Sequence, residues 1–289
     1  MGMQEILGPL LGPLLGDTLG REIVDVDLSK PLSQDTLGAI QAAFRDNPVL
    51  VFRGQSLGAR QYAEFAKRLG PIRPGVIARY QHPETTEISY LTNVGEDGSI
   101  DDFGVKRASA WHYDGSFADR PPILAMLYGL EIPKIGGGTL FADMYRAYDT
   151  LPPSLKRRVE DLITVNHFGL GPSGNDYFAA MTPKRWAEYA PVSRPLVMRH
   201  RLSGRPYLEF CMIHTAGFVG ISHGEGADLL KELEAHTSQD GNVYYHAWRP
   251  GDVVIWDEHA TMHRNAGDFP PEQRRVMQRA MVNEHHYGA

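Results

Sequence analysis

Helical spacing of apolar residues marks two segments near the start of the chain. Residues 34–46 carry apolar side chains three and four positions apart, which predicts an amphipathic helix with Ser33 as its N-cap. Residues 59–69 repeat this pattern, and Gly70 is expected to end the second helix. Two further helices are predicted over residues 153–162 and 226–236.

Short apolar runs bounded by glycine, proline or charged residues predict strands. These runs lie at residues 48–52, 87–91, 122–130, 139–142, 196–199, 206–211, 252–256 and 276–282. Many short strands with helices at the periphery are typical of a jelly roll built from two sheets. The pattern therefore predicts a mainly β fold with peripheral helices around a jelly-roll core.

The chain shows no shift in composition that would divide its main part. We therefore expect an N-terminal arm over residues 1–19 and one domain over residues 20–289. The arm contains the apolar, internally repeated stretch 7–16, which lacks a basic region and a cleavage site, so a signal peptide is not expected. Two irregular stretches, residues 93–110 and 168–192, have the length of loops that act as lids.

Composition narrows the class of protein. With 289 residues, of which 42% are hydrophobic and 22% charged, the chain is expected to be a soluble globular protein with a sizeable core. The net charge of −6 argues against nucleic acid as a partner, because nucleic acid is held mainly by basic patches. No apolar run approaches the roughly 18 residues of a membrane span. Cys211 is the only cysteine, which excludes an intrachain disulfide and favours a reducing cytoplasm.

The sequence His112-Tyr113-Asp114, together with the distant His263, is the main candidate for a metal site. On a strand, residues two positions apart point to the same face, so His112 and Asp114 can reach one ion. His263, arriving from a second strand, would complete a set of two imidazoles and one carboxylate. That set leaves positions open and is typical of non-haem Fe(II) oxygenases, whereas structural zinc uses four protein ligands. Arg275 follows soon after and suits a dicarboxylate co-substrate.

Several other segments occur in the order typical of one enzyme family. They cover residues 20–28, 51–55, 111–114, 136–141, 144–148, 251–257 and 274–279. On these segments the chain resembles the taurine and 2,4-dichlorophenoxyacetate dioxygenase (TauD/TfdA) family of Fe(II)- and 2-oxoglutarate-dependent oxygenases over most of its length. The resemblance implies a double-stranded β-helix, which is a cupin-like jelly roll, and an enzyme that requires Fe(II), 2-oxoglutarate and O2.

The resemblance also implies roles for individual residues. The metal ligands it indicates are His112, Asp114 and His263. It also implies that Thr139 and Arg275 bind 2-oxoglutarate. The Thr139 hydroxyl would donate to the distal carboxylate, and Arg275 would form a bidentate pair with it. One extra residue lies between His263 and Arg275 relative to the family pattern, so the neighbouring Arg274 remains an alternative anchor.

For the substrate, the resemblance indicates a small, anionic organic molecule. Arg279 matches a position that faces the anionic group of the substrate in taurine-type members, and we expect it to share a face with Arg275. An intact Asp114 favours hydroxylation or a related oxidation over halogenation. Taurine itself is not expected, because no histidine occurs near residues 71–76, where those enzymes hold the sulfonate. Family members are often dimers or tetramers, so a homo-oligomer is expected.

Two other functions remain open at this stage. His259 and His263, preceded by Glu258, are spaced like a zinc pair of a metallohydrolase, which would require a helix to bring positions i and i+4 together. The residues before this pair form a strand-like run, which argues against a helix. The remaining alternative is a jelly-roll module that binds a ligand or partner without catalysis.

Overall fold

The protein folds into five α-helices and seventeen strands over the residues that the computed structural model describes, which are 8–74, 80–95, 97–101, 104–105, 108–173 and 190–283. The helices are α1 (Gln34–Asp46), α2 (Ala59–Leu69), α3 (Met144–Asp149), α4 (Pro153–Val159) and α5 (His223–Thr237). The strands of the first half are β1 (Leu11–Leu14), β2 (Arg21–Ile23), β3 (Val49–Phe52), β4 (Ile72–Arg73), β5 (Gln81–His82), β6 (Thr85–Thr92), β7 (Leu124–Glu131) and β8 (Thr139–Asp143). Those of the second half are β9 (Ile163–Asn166), β10 (Val192–Pro195), β11 (Val197–Arg199), β12 (Pro206–Leu208), β13 (Thr215–Phe218), β14 (Val243–His246), β15 (Val253–Asp257), β16 (Thr261–Asn265) and β17 (Val276–Val282).

The strands form one large sheet and three small ones. The large sheet has the order β1-β2-β3-β15-β7-β17-β6-β5, with β4 added beside β17. A three-stranded sheet, β14-β8-β16, carries the segment around His263. Most pairs in the large sheet are antiparallel, and β2 with β3 is a parallel pair. The β14-β8-β16 sheet packs on the large sheet through a core that contains Val254 of β15 and Phe141 of β8, which confirms the predicted jelly-roll architecture.

Strand β3 shows why parts of the large sheet lack alternation in their sequence. Its four residues are all buried. Leu50 and Phe52 pack in the core beneath α1 and α2, whereas Val49 and Val51 pack on the opposite face, in the core that also contains Phe141 of β8. Because both faces of the strand are covered, a continuous apolar run replaces the alternating pattern of a half-exposed strand.

The predicted helices agree with the structure to different degrees. Helices α1 and α2 have the predicted bounds, and the Ser33 hydroxyl accepts a hydrogen bond from the backbone N–H of Thr36 at 3.0 Å. Helix α4 ends at Val159, three residues before the predicted end. Helix α5 begins at His223, because Ser222 and Glu225 form a capping box that extends it by nearly one turn.

The N-terminal residues that the structure describes belong to the large sheet. Strand β1 pairs antiparallel with β2, and Leu10 and Leu11 pack against the core beneath the helices. Residues 174–189 of the second predicted lid, and residues 96, 102–103 and 106–107 of the first, lie outside the described part of the chain. No helix among the described residues is long and apolar enough to cross a membrane.

Candidate metal and co-substrate site

His112 and His263 are joined by backbone hydrogen bonds. The two residues form an isolated antiparallel bridge, in which His112 N–H donates to the His263 carbonyl at 3.1 Å and His263 N–H donates back at 2.7 Å. Their imidazole rings consequently lie 4.3 Å apart between centroids. Asp114 follows two residues later, and the ligand atoms of the three side chains lie within 4.8 Å of one another. The three residues predicted from the sequence are therefore brought together beside His263, the central residue of β16.

The local structure around Asp114 differs from the expected strand. His112 takes part in a single bridge, and Asp114 already lies in a turn that continues through Gly115, whose φ is 72°. The expectation that His112 and Asp114 share a strand face was therefore wrong, although the two side chains do converge. A turn with a glycine in the left-handed region, where other residues are strained, directs the carboxylate instead.

Hydrogen bonding and burial prepare both histidines to act as metal ligands. His112 Nδ1 lies 2.8 Å from the carbonyl oxygen of Ala110, which only accepts, so Nδ1 carries a proton and Nε2 is the nitrogen left for an ion. Burial, and next the proximity of His112, lower the pKa of His263 well below its usual value. A neutral imidazole is the form that binds a metal. Two imidazoles and a carboxylate form a donor set that fits a divalent ion.

A buried arginine, Arg275, directly precedes β17 and lies beside the triad. Arg275 is 5% exposed, and its Nε donates to the Gly137 carbonyl at 3.0 Å. Its Nη2 donates to the Thr139 hydroxyl at 3.3 Å, and among the described residues it has no carboxylate partner. Burial lowers the pKa of Arg275 to about 10. A buried guanidinium without an anion is costly, so this arrangement is suited to receive a carboxylate from a ligand.

The hydroxyl of Thr139 is arranged to donate. It accepts one hydrogen bond from Trp248 Nε1 at 2.9 Å and another from Arg275 Nη2 at 3.3 Å. A hydroxyl has two acceptor positions and one proton, and both acceptor positions are used here. The remaining O–H is therefore available to a further acceptor beside the guanidinium.

Arg274, the alternative anchor, lies outside this site. Its Nε and Nη2 form a bidentate pair with Glu131, at 2.7 and 3.0 Å, and both side chains are about half exposed. The structure therefore places Arg275, and not Arg274, beside Thr139. Adjacent residues in an extended segment point in opposite directions, which separates the two arginines.

Arg279 reaches the triad from β17. Its Nη1 lies 3.2 Å from Oδ2 of Asp114. The expected common face with Arg275 is complicated by an irregularity, because the pairing of β17 with β7 shifts between Val276 and Met277. Arg275 contacts β8 and its preceding loop, and Arg279 contacts Asp114, so both arginines border the same site from different positions.

Asp268 holds the loop before Thr139. A side chain at Gly138 of this loop would collide with the ring of Tyr245. Asp268 accepts from the N–H of Gly137 at 2.8 Å and from the Tyr245 hydroxyl at 2.7 Å. This contact holds the loop whose Gly137 carbonyl binds Arg275.

His259 and His263 do not form a zinc pair. His259 belongs to a separate group with His200 and Asp257, whereas His263 belongs to the group with His112. Residues 258–260 form the turn between β15 and β16, so no helix places these two histidines on one face. In the second group, His200 Nε2 lies 3.0 Å from Oδ2 of Asp257, and Ser203 N–H donates to His200 Nδ1. That pair is consistent with a structural role.

Three residues near the site were not identified from the sequence. Glu258 is 1% exposed and accepts from the Asp114 N–H at 2.9 Å. Asn93 accepts from the Arg275 N–H at 2.7 Å. His214 is close enough to His112 and Asp114 for both to influence its pKa, which burial chiefly lowers to about 3. Of the three, only Glu258 was noted in the sequence, as the residue before the possible zinc pair His259 and His263.

Comparisons with known proteins agree with this geometry. The family model described as "Taurine catabolism dioxygenase TauD, TfdA family" matches residues 10–281. The α-ketoglutarate-dependent 2,4-dichlorophenoxyacetate dioxygenase of Cupriavidus pinatubonensis is 33% identical over 271 residues, which cover 89% of this chain and 92% of that protein. Pentalenolactone F synthase of Streptomyces arenae is 30% identical over 244 residues, covering 81% of each.

Solved structures show the same likeness. The crystal structure of AAD-2 in complex with Mn(II) and N-oxalylglycine superposes with a TM-score of 0.82, at 29% identity, covering 94% of this chain and 97% of that one. A taurine dioxygenase from Burkholderia xenovorans, at 24% identity and a TM-score of 0.78, shares the fold. The extent of the family match and the identity to the curated relatives establish that this chain belongs to the TauD/TfdA dioxygenase family.

Proposed function

We propose that the protein is an Fe(II)- and 2-oxoglutarate-dependent dioxygenase that hydroxylates a C–H bond of a small, anionic organic substrate. The observation that carries this proposal is the neighbouring position of two groups. One is the triad of two imidazoles and a carboxylate within 4.8 Å. The other is the buried guanidinium of Arg275, which has no carboxylate partner among the described residues and contacts Thr139, the residue paired with Asn265 of β16. The overall reaction converts substrate, 2-oxoglutarate and O2 into hydroxylated product, succinate and CO2.

His112, Asp114 and His263 would hold the metal. They would occupy one side of the ion and leave positions for a keto acid and dioxygen. Bound Fe(II) supplies the oxidising chemistry, and the protein contributes binding, orientation and exclusion of water. The low exposure of both histidines, 5% for His112 and 6% for His263, supports that last contribution.

Arg275 and Thr139 would bind 2-oxoglutarate through its distal carboxylate. A guanidinium presents two parallel N–H donors to a carboxylate, and a hydroxyl adds a third donor. The Gly137 carbonyl, which accepts from Arg275 Nε at 3.0 Å, keeps the guanidinium in one orientation. Binding therefore needs little reorganisation of the protein, which favours affinity.

Arg279 would bind the anionic group of the substrate. Its guanidinium borders Asp114 and is 14% exposed, so a ligand can reach it from the site. Relatives at 33% and 29% identity are named as dioxygenases of 2,4-dichlorophenoxyacetate and of sulfate esters. A carboxylate and a sulfate ester share the negative oxygen atoms that an arginine binds, and these are the two substrate classes that we propose to test.

The remaining parts of the proposal concern the cellular setting. A cytoplasmic location is supported by Cys211, a single buried thiol that has no disulfide partner in the chain. We also infer a homo-oligomer, as is common in the family, and no role for nucleic acid or membranes. The net charge of −6 supports the exclusion of nucleic acid.

A pair of neighbouring histidines provides the test. We would titrate 2-oxoglutarate into anaerobic protein loaded with Fe(II), follow the iron absorption spectrum, and compare His263→Ala with His259→Ala. The proposal expects the spectral change in the wild type and in the His259 variant, and its loss in the His263 variant. After O2 is admitted, succinate should exceed the no-substrate background with aryloxy acids or with alkyl sulfates. Absence of 2-oxoglutarate binding by the wild type, or its loss in His259→Ala, would overturn the proposal.

A further inference from the structure

Glu258 is a buried carboxylate in contact with two of the three triad residues. It is 1% exposed and lies in the turn between β15 and β16. Its Oε2 accepts a hydrogen bond from the backbone N–H of Asp114 at 2.9 Å. The same Oε2 lies 3.9 Å from Nδ1 of His263. One side chain thus connects two residues that arrive from segments far apart in the sequence.

Several polar atoms around this carboxylate lack hydrogen-bond partners. Among the described residues, they include Oε1 of Glu258, Nδ1 of His263 and Nε1 of Trp256, all of which are buried. The Trp256 and His263 rings lie 4.8 Å apart between centroids. Buried polar groups in proteins are almost always paired, so a carboxylate oxygen, an indole N–H and an imidazole nitrogen clustered in this way mark a place where a further hydrogen bond can form.

The two histidines of the triad differ in how their rings are fixed. His112 Nδ1 is fixed by the backbone carbonyl of Ala110 at 2.8 Å. Within the part of the chain that the structure describes, His263 Nδ1 has no such carbonyl partner, and the Glu258 carboxylate lies 3.9 Å from it. Histidine ligands of metals almost always donate their second ring N–H to a carboxylate, a carbonyl or water, which fixes the tautomer and the ring orientation.

On these observations, and on the metal site of the proposed function, we propose that Glu258 is a positioning residue for His263. Its carboxylate accepts the Nδ1–H of His263 when a metal is bound and so directs Nε2 towards the ion. The same carboxylate holds the Asp114 backbone, which couples the orientation of the two ligands. Glutamate at this position places one carboxylate oxygen close to both the Asp114 N–H and the His263 ring.

The binding of Co(II) by metal-free protein, with saturating 2-oxoglutarate, tests this role without turnover. We would measure the affinity by calorimetry and the ligand environment by the visible spectrum of bound Co(II). Glu258→Ala should weaken binding by about 10- to 100-fold, the usual effect of losing such a partner, and should change the Co(II) spectrum. Glu258→Gln keeps a neutral carbonyl acceptor and should recover much of the affinity, with a loss of about threefold to tenfold.

Asp143→Asn is the matched control. Asp143 is also a buried carboxylate, and it accepts from the Arg146 N–H at 2.9 Å without contacting the triad. Its substitution should leave Co(II) affinity within about twofold of the wild type, since the partners it loses do not orient a ligand. Equal losses in this variant and in Glu258→Ala would assign the effect to general stability and overturn the inference.

The remaining outcomes also decide the question. Unchanged affinity in Glu258→Ala overturns the positioning role while leaving the proposed function intact. If the alanine variant does not fold, the glutamine variant decides. A Glu258→Gln protein with the same Co(II) affinity and spectrum as the wild type would overturn the positioning role. Failure of the wild type itself to bind Co(II) would overturn the metal site, and with it both proposals.

Discussion

Arg279 forms an ion pair with Asp114, one of the three triad residues. Nη1 of the arginine lies 3.4 Å from Oδ1 and 3.2 Å from Oδ2 of the aspartate, and both side chains are 14% exposed. Since Asp114 is also the proposed metal ligand, the guanidinium and the metal share one carboxylate. Binding of a divalent ion would therefore weaken the hold of Asp114 on Arg279 and make the guanidinium available to the proposed substrate anion.

Replacing Arg279 should affect metal and substrate in opposite directions. In Arg279→Gln, Co(II) affinity should rise several-fold, because a positive charge close to the ion is removed. KM for the anionic substrate should rise about tenfold to a hundredfold, since hydrogen bonds between charged groups contribute about 1.5–3 kcal/mol. Calorimetry and succinate release measure the two effects. Arg274→Gln, which changes an exposed arginine paired with Glu131, should leave both unchanged. An unaltered KM in Arg279→Gln would refute the assignment of this residue.

The two adjacent arginines offer a test of the co-substrate site. Arg275→Lys should weaken 2-oxoglutarate binding by about 100-fold, because a lysine cannot form the bidentate pair. Arg274→Lys should bind 2-oxoglutarate as the wild type does. Thr139→Val should bind 2-oxoglutarate about tenfold more weakly, because one hydrogen bond to a charged group is lost. Anaerobic titration of the iron spectrum measures all three, and an equal loss in the two lysine variants would contradict the assignment.

Spacing along the chain was enough to predict the strongly periodic elements, whereas the triad was predicted from its spacing together with the family resemblance. Helices α1 and α2 and strand β17 occur at the predicted residues, because their apolar faces are continuous. Strand β16 was not predicted from its pattern, since Thr261–Asn265 is mostly polar. It is stabilised by pairing with β8, a contact between segments more than a hundred residues apart, and hydrophobic periodicity carries no information about such a contact.

The choice between Arg274 and Arg275 shows the same limit within the site. Both residues precede β17, and an uncertainty of one position in the spacing could not separate them. The structure separates them because Asn93 accepts from the Arg275 backbone N–H at 2.7 Å and so fixes which side chain turns inward. Asn93 also donates to the carbonyls of Pro271 and Gln273, at 3.2 and 2.8 Å. A role of this kind depends on tertiary contacts and has no local sequence pattern.

Tyr113, which lies between two triad residues, should contribute to stability and not to binding. Its hydroxyl donates to the buried carboxylate of Glu209, which Arg194 approaches to 3.9 Å. Tyr113→Phe should lower the free energy of unfolding by about 1–3 kcal/mol, because the buried carboxylate loses a donor. Tyr207→Phe is a suitable control, since among the described residues that buried hydroxyl donates to the Met198 sulfur alone, at 3.7 Å, and its loss should lower the free energy of unfolding less. Urea unfolding measures both, and loss of 2-oxoglutarate binding in a stable Tyr113→Phe protein would contradict this role.

His214 should make the metal-free protein sensitive to acid. Burial, followed by the charge on His112, lowers the pKa of His214 from 6.5 to about 3, so the folded protein holds this ring neutral. Its Nδ1 accepts a hydrogen bond from the Gly169 N–H at 2.8 Å, and a proton on that nitrogen would face another N–H. The unfolded chain binds a proton to this histidine below about pH 6.5, whereas the folded chain does not until about pH 3. Stability from this group is therefore complete above pH 6.5 and is lost as the pH falls, because the unfolded state then binds more protons.

The variant His214→Asn isolates this contribution. Asparagine keeps an acceptor for the Gly169 N–H but does not titrate. The free energy of unfolding of the variant should therefore fall less than that of the wild type between pH 7 and pH 4.5. Over that range the free energy of unfolding of the wild type should fall by a few kcal/mol more than that of the variant, since each pKa unit corresponds to about 1.4 kcal/mol. Urea unfolding of metal-free protein at both pH values provides the measurement, and other buried histidines cancel because they are present in both proteins. His223→Asn, at an exposed position, should keep the wild-type slope. Parallel pH profiles for wild type and His214→Asn would show that His214 is already free to bind protons in the folded state.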